Sequence, residues 1–243
     1  FSVARYVELA APCVDDILAR GKLPIVAGGT GLYLDSLLSG RTFAPFSPDG
    51  GLRARLEARF DALGGEAMLG ELAAADPEAA ARLHPNDRKR IVRALEVFQQ
   101  TGKTISQHNR ETRALPLRYD ALTLSLAFQR REDMWARIDR RVDEMMAAGL
   151  AEEVRALLDS GVPVRCTAMQ AIGYKEMAAA LRGGGDVCAA AEEIKLRSRQ
   201  YAKRQLTWFR RTEGAKWLFW GPEPDFEAAC RTSTKYLEEF GLV

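Results

Sequence analysis

Apolar residues at helical spacing open the chain and predict a helix over about 2–20, through Val7, Ala10, Val14, Ile17 and Leu18. The run at 23–27 is almost entirely apolar, which is typical of a buried strand. Glycines follow at 28–31, and a helical pattern resumes over 32–38. Helix, strand, glycine loop and helix in this order indicate a layered α/β domain.

The pattern from about 52 to 101 is helical throughout. Segments rich in Ala, Leu, Glu and Arg cover 52–63, 67–74 and 77–83, and a further helix is predicted over 88–100, where Ile91, Leu95 and Phe98 form the buried stripe. A proline- and glycine-rich loop at 42–51 marks a boundary before them. We therefore predict a helical insertion domain at 48–115, between the two parts of an α/β core at 1–47 and 116–243.

Two strands and four helices are predicted in the second half of the chain. The strands are the alternating run at 122–128 and the apolar run at 217–220. One long helix is expected over 131–160, shorter ones over about 167–181 and 187–210, and a last one over 225–240.

Composition excludes several classes of protein. No apolar run approaches the ~20 residues that span a membrane, and no signal peptide is visible. The widely spaced cysteines indicate reduced thiols, and we expect a cytoplasmic protein. The four cysteines lie far apart and only two histidines occur, which argues against a cysteine-built zinc site. The net charge of +2 says little about partners.

Basic residues are concentrated in one segment near the end of the chain. Residues 195–211 contain no acid and seven cations, Lys195, Arg197, Arg199, Lys203, Arg204, Arg210 and Arg211, interleaved with Tyr201, Trp208 and Phe209. Cations hold phosphates and aromatic rings stack on unpaired bases, so the segment favours nucleic-acid binding. On a helix, Lys203, Thr207 and Arg210 share one face, while Leu206 and Phe209 point inward. The alternative is a core-packed helix whose exposed side is basic.

Three shorter patterns bear on phosphate binding. The glycine turn at 28–31 could bring backbone close to a ligand, although a plain tight turn has the same pattern. The Gly-Lys-Thr at 102–104 is rejected as a phosphate loop, because Val97 stands where that loop needs glycine and a helix precedes it. In the turn at 84–87, Asp87 (or Asn86) is a suitable N-cap and His84 is interpreted as structural.

Two pairs of cations lie one helical turn apart. Lys89 and Arg93 could grip a phosphate backbone or simply be solvated. Arg137 and Arg141 would suit a pyrophosphate, because arginine presents paired planar donors. Spacing alone favours the other interpretation of this second pair, a helix surface with salt bridges to Asp139, Asp143 or Glu144.

Four motifs occur in order: Gly28-Gly29-Thr30-Gly31-Leu32-Tyr33, His84-Pro85-Asn86-Asp87 with Arg90 and Arg93, Ala168-Met169-Gln170-Ala171-Ile172-Gly173-Tyr174, and Lys203-Arg204-Gln205-Leu206-Thr207-Trp208-Phe209-Arg210. Together they resemble tRNA dimethylallyltransferases. The resemblance implies a P-loop-NTPase-like α/β core with a helical insertion. It also implies Mg²⁺-assisted transfer of a dimethylallyl group from dimethylallyl diphosphate to N6 of the adenosine 3′ of the tRNA anticodon.

The resemblance also implies roles for particular residues. Arg141 matches the family arginine that supports catalysis, by balancing diphosphate charge as the C–O bond breaks. The positions expected to contact the tRNA anticodon stem-loop are Thr30, Arg53, Lys89, Arg90, Ile91, Val92, Arg93, Gln170, Ala171, Ile172, Gly173, Tyr174, Lys175, Lys203, Arg204, Gln205, Leu206, Thr207, Trp208, Phe209 and Arg210.

The family's P-loop and its general-base aspartate have no counterpart in this sequence, which matches the part that follows both. We therefore expect the chain to lack the N-terminal phosphate-binding part, with most Mg²⁺ ligands, and to be inactive alone. We also expect a monomer. Two alternatives remain: an RNA-binding module without catalysis, and a relative that prenylates free adenine nucleotides.

Overall fold

The computed structural model describes residues 2–41, 43 and 51–242. The helices are α1 (Val3–Ala19), α2 (Gly31–Leu38), α3 (Gly51–Ala75), α4 (Pro77–Ala80), α5 (Arg88–Thr101), α6 (Ile105–Arg113), α7 (Arg131–Ala147), α8 (Leu150–Asp159), α9 (Tyr174–Gly183), α10 (Val187–Phe209) and α11 (Phe226–Phe240). A 3₁₀ turn covers Ala168–Gln170, and the strands are β1 (Leu124–Phe128) and β2 (Lys216–Trp220). Most of the predicted boundary loop at 42–51 lies outside the described residues.

The fold is mixed α/β, rich in helix, with a small parallel sheet. The predicted helices at both ends of the chain, the helix at 88–100, the basic helix and both late strands are confirmed. The strand predicted at 23–27 is wrong: this segment has no regular secondary structure, and Ile25 is 85% exposed. Its apolar run satisfies the pattern of a strand, but no strand in the described part of the chain pairs with it.

Glycines in the left-handed region divide two predicted helices. The helix expected over 131–160 is two, because Gly149 between α7 and α8 has φ 95°. The segment at 167–181 likewise divides into the 3₁₀ turn and α9, with Gly173 at φ 102° between them. Helix α6 was not predicted, although Thr104 and Gln107 form a capping box at its start.

One compact unit contains Asp16–Leu32 and Ala121–Val243, as far as these are described. In its sheet β1 and β2 are parallel, with Leu124 opposite Lys216 and Phe128 opposite Trp220. The core of this unit lies among α7, α8, α9 and α10, where Val154, Met177 and Ile194 are fully buried. These helices position the basic segment.

The second unit contains Ser2–Asp15 and the described part of Tyr33–Asp120. Its larger core joins α3 to α5 through buried residues that include Leu56, Leu72 and Leu95. Helix α3 folds back at Gly64 (φ 80°, ψ 167°), since the side chains of Arg59 and Glu71 meet at 2.7 Å. A straight helix would separate their backbones by about 18 Å.

Asp76 joins two of the shorter helices of this unit. One carboxylate oxygen accepts from the backbone N–H of Ala79 in α4, and the other from that of Ser106 in α6, each at 3.0 Å. Among all the helices of the described residues, none is both long and apolar enough to cross a membrane.

Candidate functional site

The glycine loop at 28–31 rests directly on the basic helix α10. Gln205 Nε2 donates to the carbonyl of Gly29 at 2.7 Å. Gly31 is buried so closely against Trp208 that a Cβ there would lie 2.1 Å from Cδ1 of the indole. Two of the four motifs thus form one assembly, which presents Thr30 as an exposed residue of the loop.

Cations in the first half of α10 are neutralised by neighbouring acids. Lys195 contacts Asp143 at 2.6 Å and Glu192 at 2.8 Å, and Arg199 contacts Asp139 at 2.9 Å. Hydrogen bonds to Asp143 and then Glu192 raise the pKa of the Lys195 ammonium group above its ordinary value. This half of the helix therefore fastens α10 to α7 and adds little free positive charge.

The end of α10 is different. No acid of the described chain lies within ion-pair distance of Lys203 and Arg204 in α10, or of Arg210 and Arg211 directly after it. The predicted faces are confirmed: Lys203, Thr207 and Arg210 are exposed, while Leu206 and Phe209 are partly buried. Trp208 keeps 38% of its surface exposed. Of the basic segment predicted at 195–211, only the C-terminal part therefore presents cations without an acidic neighbour.

A cleft of about 430 Å³ is lined by Arg137, Arg140 and Arg141 of α7, with Glu144 and Glu223. The predicted salt bridges of Arg137 and Arg141 to Asp139, Asp143 or Glu144 are wrong. Asp139 and Asp143 are bound by α10, and Glu144 lies beyond ion-pair distance of the arginines in the described structure. Three arginines therefore line the cleft without an ion-pair partner among the described residues, and they outnumber its two glutamates, an arrangement that favours an anion.

The motif at 170–175 divides into buried and exposed positions. Ile172 and Tyr174 pack against the core, and the buried Gly173 donates its N–H to Glu176 at 2.9 Å. A hydrogen bond to Glu153 raises the pKa of the Tyr174 hydroxyl. Gln170, Ala171 and Lys175 remain exposed, and a groove of about 670 Å³ runs from this motif to Arg204.

In the second unit, Glu96 gathers two predicted tRNA contacts. Its side chain is fully buried, and its Oε2 accepts from Arg53 of α3 at 2.6 Å and from Arg93 of α5 at 2.7 Å. Burial alone would raise the pKa of this carboxyl group, but the hydrogen bonds from both arginines outweigh burial and lower it. Sequence reasoning missed Glu96. The available signal was an acid within the otherwise apolar stretch 94–97.

Other positions at the start of α5 face opposite ways. Lys89 and Arg90 are exposed, whereas Ile91 and Val92 lie in the core with 0% and 3% of their surface exposed. The latter two can therefore offer RNA no side chain. Asp87 occupies the N-cap position but does not cap with its side chain, which instead accepts from the N–H of His84 at 3.1 Å.

The interpretation of His84 as structural stays a prediction, and its Nδ1 accepts from the N–H of Asn86 at 3.2 Å. One prediction about local structure is confirmed. Gly102 ends α5 in the left-handed conformation, so Gly-Lys-Thr follows a helix and is not a phosphate loop. No group of three His, Cys, Asp or Glu residues in the described chain could hold a metal ion.

Comparison with known proteins is consistent with these motifs. The profile of the family described as IPP transferase matches residues 1–212. A tRNA dimethylallyltransferase of Acetivibrio thermocellus is 41% identical over 242 residues, covering 100% of this chain and 77% of the relative.

Solved structures agree with the sequence comparison. The full-length tRNA isopentenylpyrophosphate transferase of Bacillus halodurans has a TM-score of 0.66 and 35% identity, covering 98% of this chain and 73% of that one. A eukaryotic dimethylallyltransferase acting on tRNA has a TM-score of 0.74 and 27% identity, over 98% of this chain and 63% of that one.

Proposed function

The chain belongs to the IPP transferase family, and we propose on that basis that it serves dimethylallyl transfer to tRNA. The donor is dimethylallyl diphosphate and the acceptor is N6 of the adenosine 3′ of the anticodon. A bond forms between N6 and the allylic carbon, the C–O bond to diphosphate breaks with its electron pair leaving on oxygen, and N6 loses one proton.

The observation that carries the assignment of residues is the arginine cleft. Asp139 and Asp143 pair with Arg199 and Lys195 of α10, and Arg137, Arg140 and Arg141 form no ion pair within the described residues, so these three cations outnumber the two glutamates that also line the cleft. We assign the diphosphate to this cleft. Arg141 is proposed to stabilise the negative charge that grows on the leaving oxygen.

The tRNA contacts are proposed to lie on exposed or partly exposed residues of the four motifs, and on Arg53, Lys89 and Lys175 outside them. They are Thr30 in the loop, Arg53, Lys89, Arg90 and Arg93 in the helical unit, Gln170, Ala171 and Lys175 before α9, and Lys203, Arg204, Thr207, Trp208 and Arg210 on α10. Ile172, Gly173, Tyr174, Gln205, Leu206 and Phe209 hold these elements in place. Phosphate contacts from the cations would supply most of the affinity.

Further parts of the proposal come from the family alone. We propose a P-loop-NTPase-like core, a cytoplasmic monomer and assistance by Mg²⁺. The described residues contain no cluster suited to a metal, so no step is assigned to them through Mg²⁺. They also contain no phosphate-loop pattern, and we expect no transfer from these 243 residues alone.

Transfer and binding should be measured together. Labelled dimethylallyl diphosphate, Mg²⁺ and an anticodon stem-loop are supplied to this chain and to a version extended upstream to include a phosphate loop. Arg141→Ala in the extended protein should lower kcat at least about 100-fold, the scale of losing one preorganised donor. Arg155→Ala is the matched control, since Arg155 is an exposed helical arginine outside the cleft.

The outcomes separate the candidate functions. Transfer by the extended protein, lost in Arg141→Ala and kept in Arg155→Ala, supports the proposal. Binding of the stem-loop without transfer would favour an RNA-binding module instead. Prenylation of free adenosine monophosphate in preference to the stem-loop would contradict tRNA as the substrate.

A further inference from the structure

Glu96 is a charged side chain enclosed in an apolar core. It lies in the middle of α5, with no exposed surface, beside Leu95 and Val97, which are 1% exposed. An ionised carboxylate in such surroundings persists only when it is paired and hydrogen-bonded. Arg53 and Arg93 supply the charge pairing and the hydrogen bonds at Oε2, at 2.6 and 2.7 Å, while Oε1 is buried without a hydrogen-bond partner among the described residues.

Stability alone gives a poor account of this arrangement. Helices α3 and α5 already share an extensive apolar contact through Leu56, Ile91 and Leu95. A buried ion pair generally stabilises a fold no better than well-packed apolar side chains of similar volume. The effect of the Glu96 carboxylate therefore lies in where it places its two partners.

Both guanidinium groups converge on a single oxygen atom. They come from different helices, and their side chains keep 35% (Arg53) and 28% (Arg93) of their surface exposed. Two like charges would separate without the anion between them. Glu96 thus sets two cations side by side at the surface, close to the exposed Lys89 and Arg90.

We propose that Glu96 is a positioning residue for tRNA, which holds Arg53 and Arg93 together as one receptor for the phosphate backbone. The inference rests on the proposed tRNA-binding function. The paired planar donors of two fixed arginines match phosphate oxygens better than two independently mobile charges do.

Glu96→Gln in the extended protein tests the proposal, because charge and positioning predict opposite changes in the Kd for the stem-loop. The substitution makes the protein more positive by one charge, so charge alone predicts tighter binding of the anticodon stem-loop. Positioning predicts the opposite: Kd for the stem-loop rises about tenfold, the order expected for one charge-assisted hydrogen bond. The slope of log Kd against log salt should also fall by about one, while kcat at saturating stem-loop is unchanged.

Glu71→Gln is the matched control. Glu71 lies in the same unit and pairs with Arg59, which is not among the proposed contacts, so this variant changes the charge equally and should bind as tightly as wild type or more tightly. Equal or tighter binding by Glu96→Gln, with an unchanged salt slope, would overturn the proposal. Failure of wild type to bind the stem-loop would instead refute the proposed function.

A second pair of variants covers the case in which Glu96→Gln does not fold. Arg53→Lys and Arg93→Lys keep the charge and an ion pair to Glu96, but replace the planar fork by a single ammonium group. Weaker stem-loop binding in both variants, at equal net charge and with unchanged melting temperature, supports positioning. Unchanged binding in both contradicts it.

Discussion

Replacing Gly31 by alanine tests whether the glycine loop and α10 form one assembly. The new Cβ would lie 2.1 Å from Cδ1 and 2.3 Å from Nε1 of the Trp208 indole. Real Cβ atoms do not approach other heavy atoms so closely, so either the ring or the loop must move. The φ of Gly31 is not in the left-handed region, and the variant therefore reports on the contact alone.

The expected cost follows from two opposing effects. Inserting a methyl group into a closely packed site costs about 1–3 kcal/mol. Alanine reduces the entropy of the unfolded chain and so returns about 0.4–1 kcal/mol. The balance is a net loss of about 1–2 kcal/mol. In a protein of this size, that loss lowers the melting temperature by about 2–8 °C.

Thermal melts of the wild type, Gly31→Ala and Gly28→Ala measure this balance. Gly28 belongs to the same loop, and a Cβ there would meet nothing within 4 Å, so Gly28→Ala should melt at or slightly above the wild-type temperature. The double variant Gly31→Ala/Trp208→Ala lacks the indole ring, so part of the stability lost in Gly31→Ala should be recovered, because the effects of contacting residues are coupled. Equal melting of Gly31→Ala and Gly28→Ala would refute the close approach.

Three further predictions concern the core, an acid and the basic helix. Leu72→Ala should lower the free energy of unfolding, measured in urea, by about 2–5 kcal/mol, because Leu72 is fully buried. Leu63→Ala on the same helix should lower it by under about 1 kcal/mol, because Leu63 is 54% exposed. Equal losses in the two variants would contradict the packing. Burial alone would raise the pKa of Asp76, but its hydrogen bonds lower it, so its stabilisation is present above about pH 4 and lost as pH falls through the folded pKa. Asp76→Asn should therefore be less stable than the wild type at pH 7 and should lose less stability on acidification. If the free energy of unfolding in urea falls with decreasing pH as steeply in the variant as in the wild type, the prediction is wrong. Arg210→Ala should weaken stem-loop binding and reduce the slope of log Kd against log salt by about one. Arg197→Ala should change neither, because the guanidinium of Arg197 already pairs with Glu193. Equal slopes for the two variants would show that Arg210 does not contact the stem-loop.

Local periodicity predicted most elements of the fold. The confirmed helices α1, α5, α10 and α11 each carry their own apolar stripe, and β1 and β2 are recognisable as short apolar runs. The errors arise where the secondary structure depends on the backbone conformation of a single residue or on a partner that is distant in the sequence. Gly149 interrupts a continuous apolar pattern through its left-handed backbone, and the run at 23–27 has a strand's composition but no described strand beside it.

The candidate site shows the same division between local and distant information. The cations of α10 and of α7 are visible in sequence, but which of them an acid neutralises is not. Lys195 and Arg199 pair with Asp143 and Asp139 of α7, so Arg137, Arg140 and Arg141 line the cleft without an ion pair among the described residues. Likewise, no spacing rule could bring Gln205 to Gly29, 176 residues earlier.

The fold-back of α3 at Gly64 has a consequence for assembly. Its φ of 80° and ψ of 167° belong to a region that only glycine occupies readily. Any side chain at this position would favour one uninterrupted rod, about 37 Å long for its 25 residues. The second half of such a rod could no longer reach the first half in its own molecule, but could pack against that of another copy. Gly64 thus allows α3 to fold back within its own molecule, and its loss would favour domain exchange between two chains.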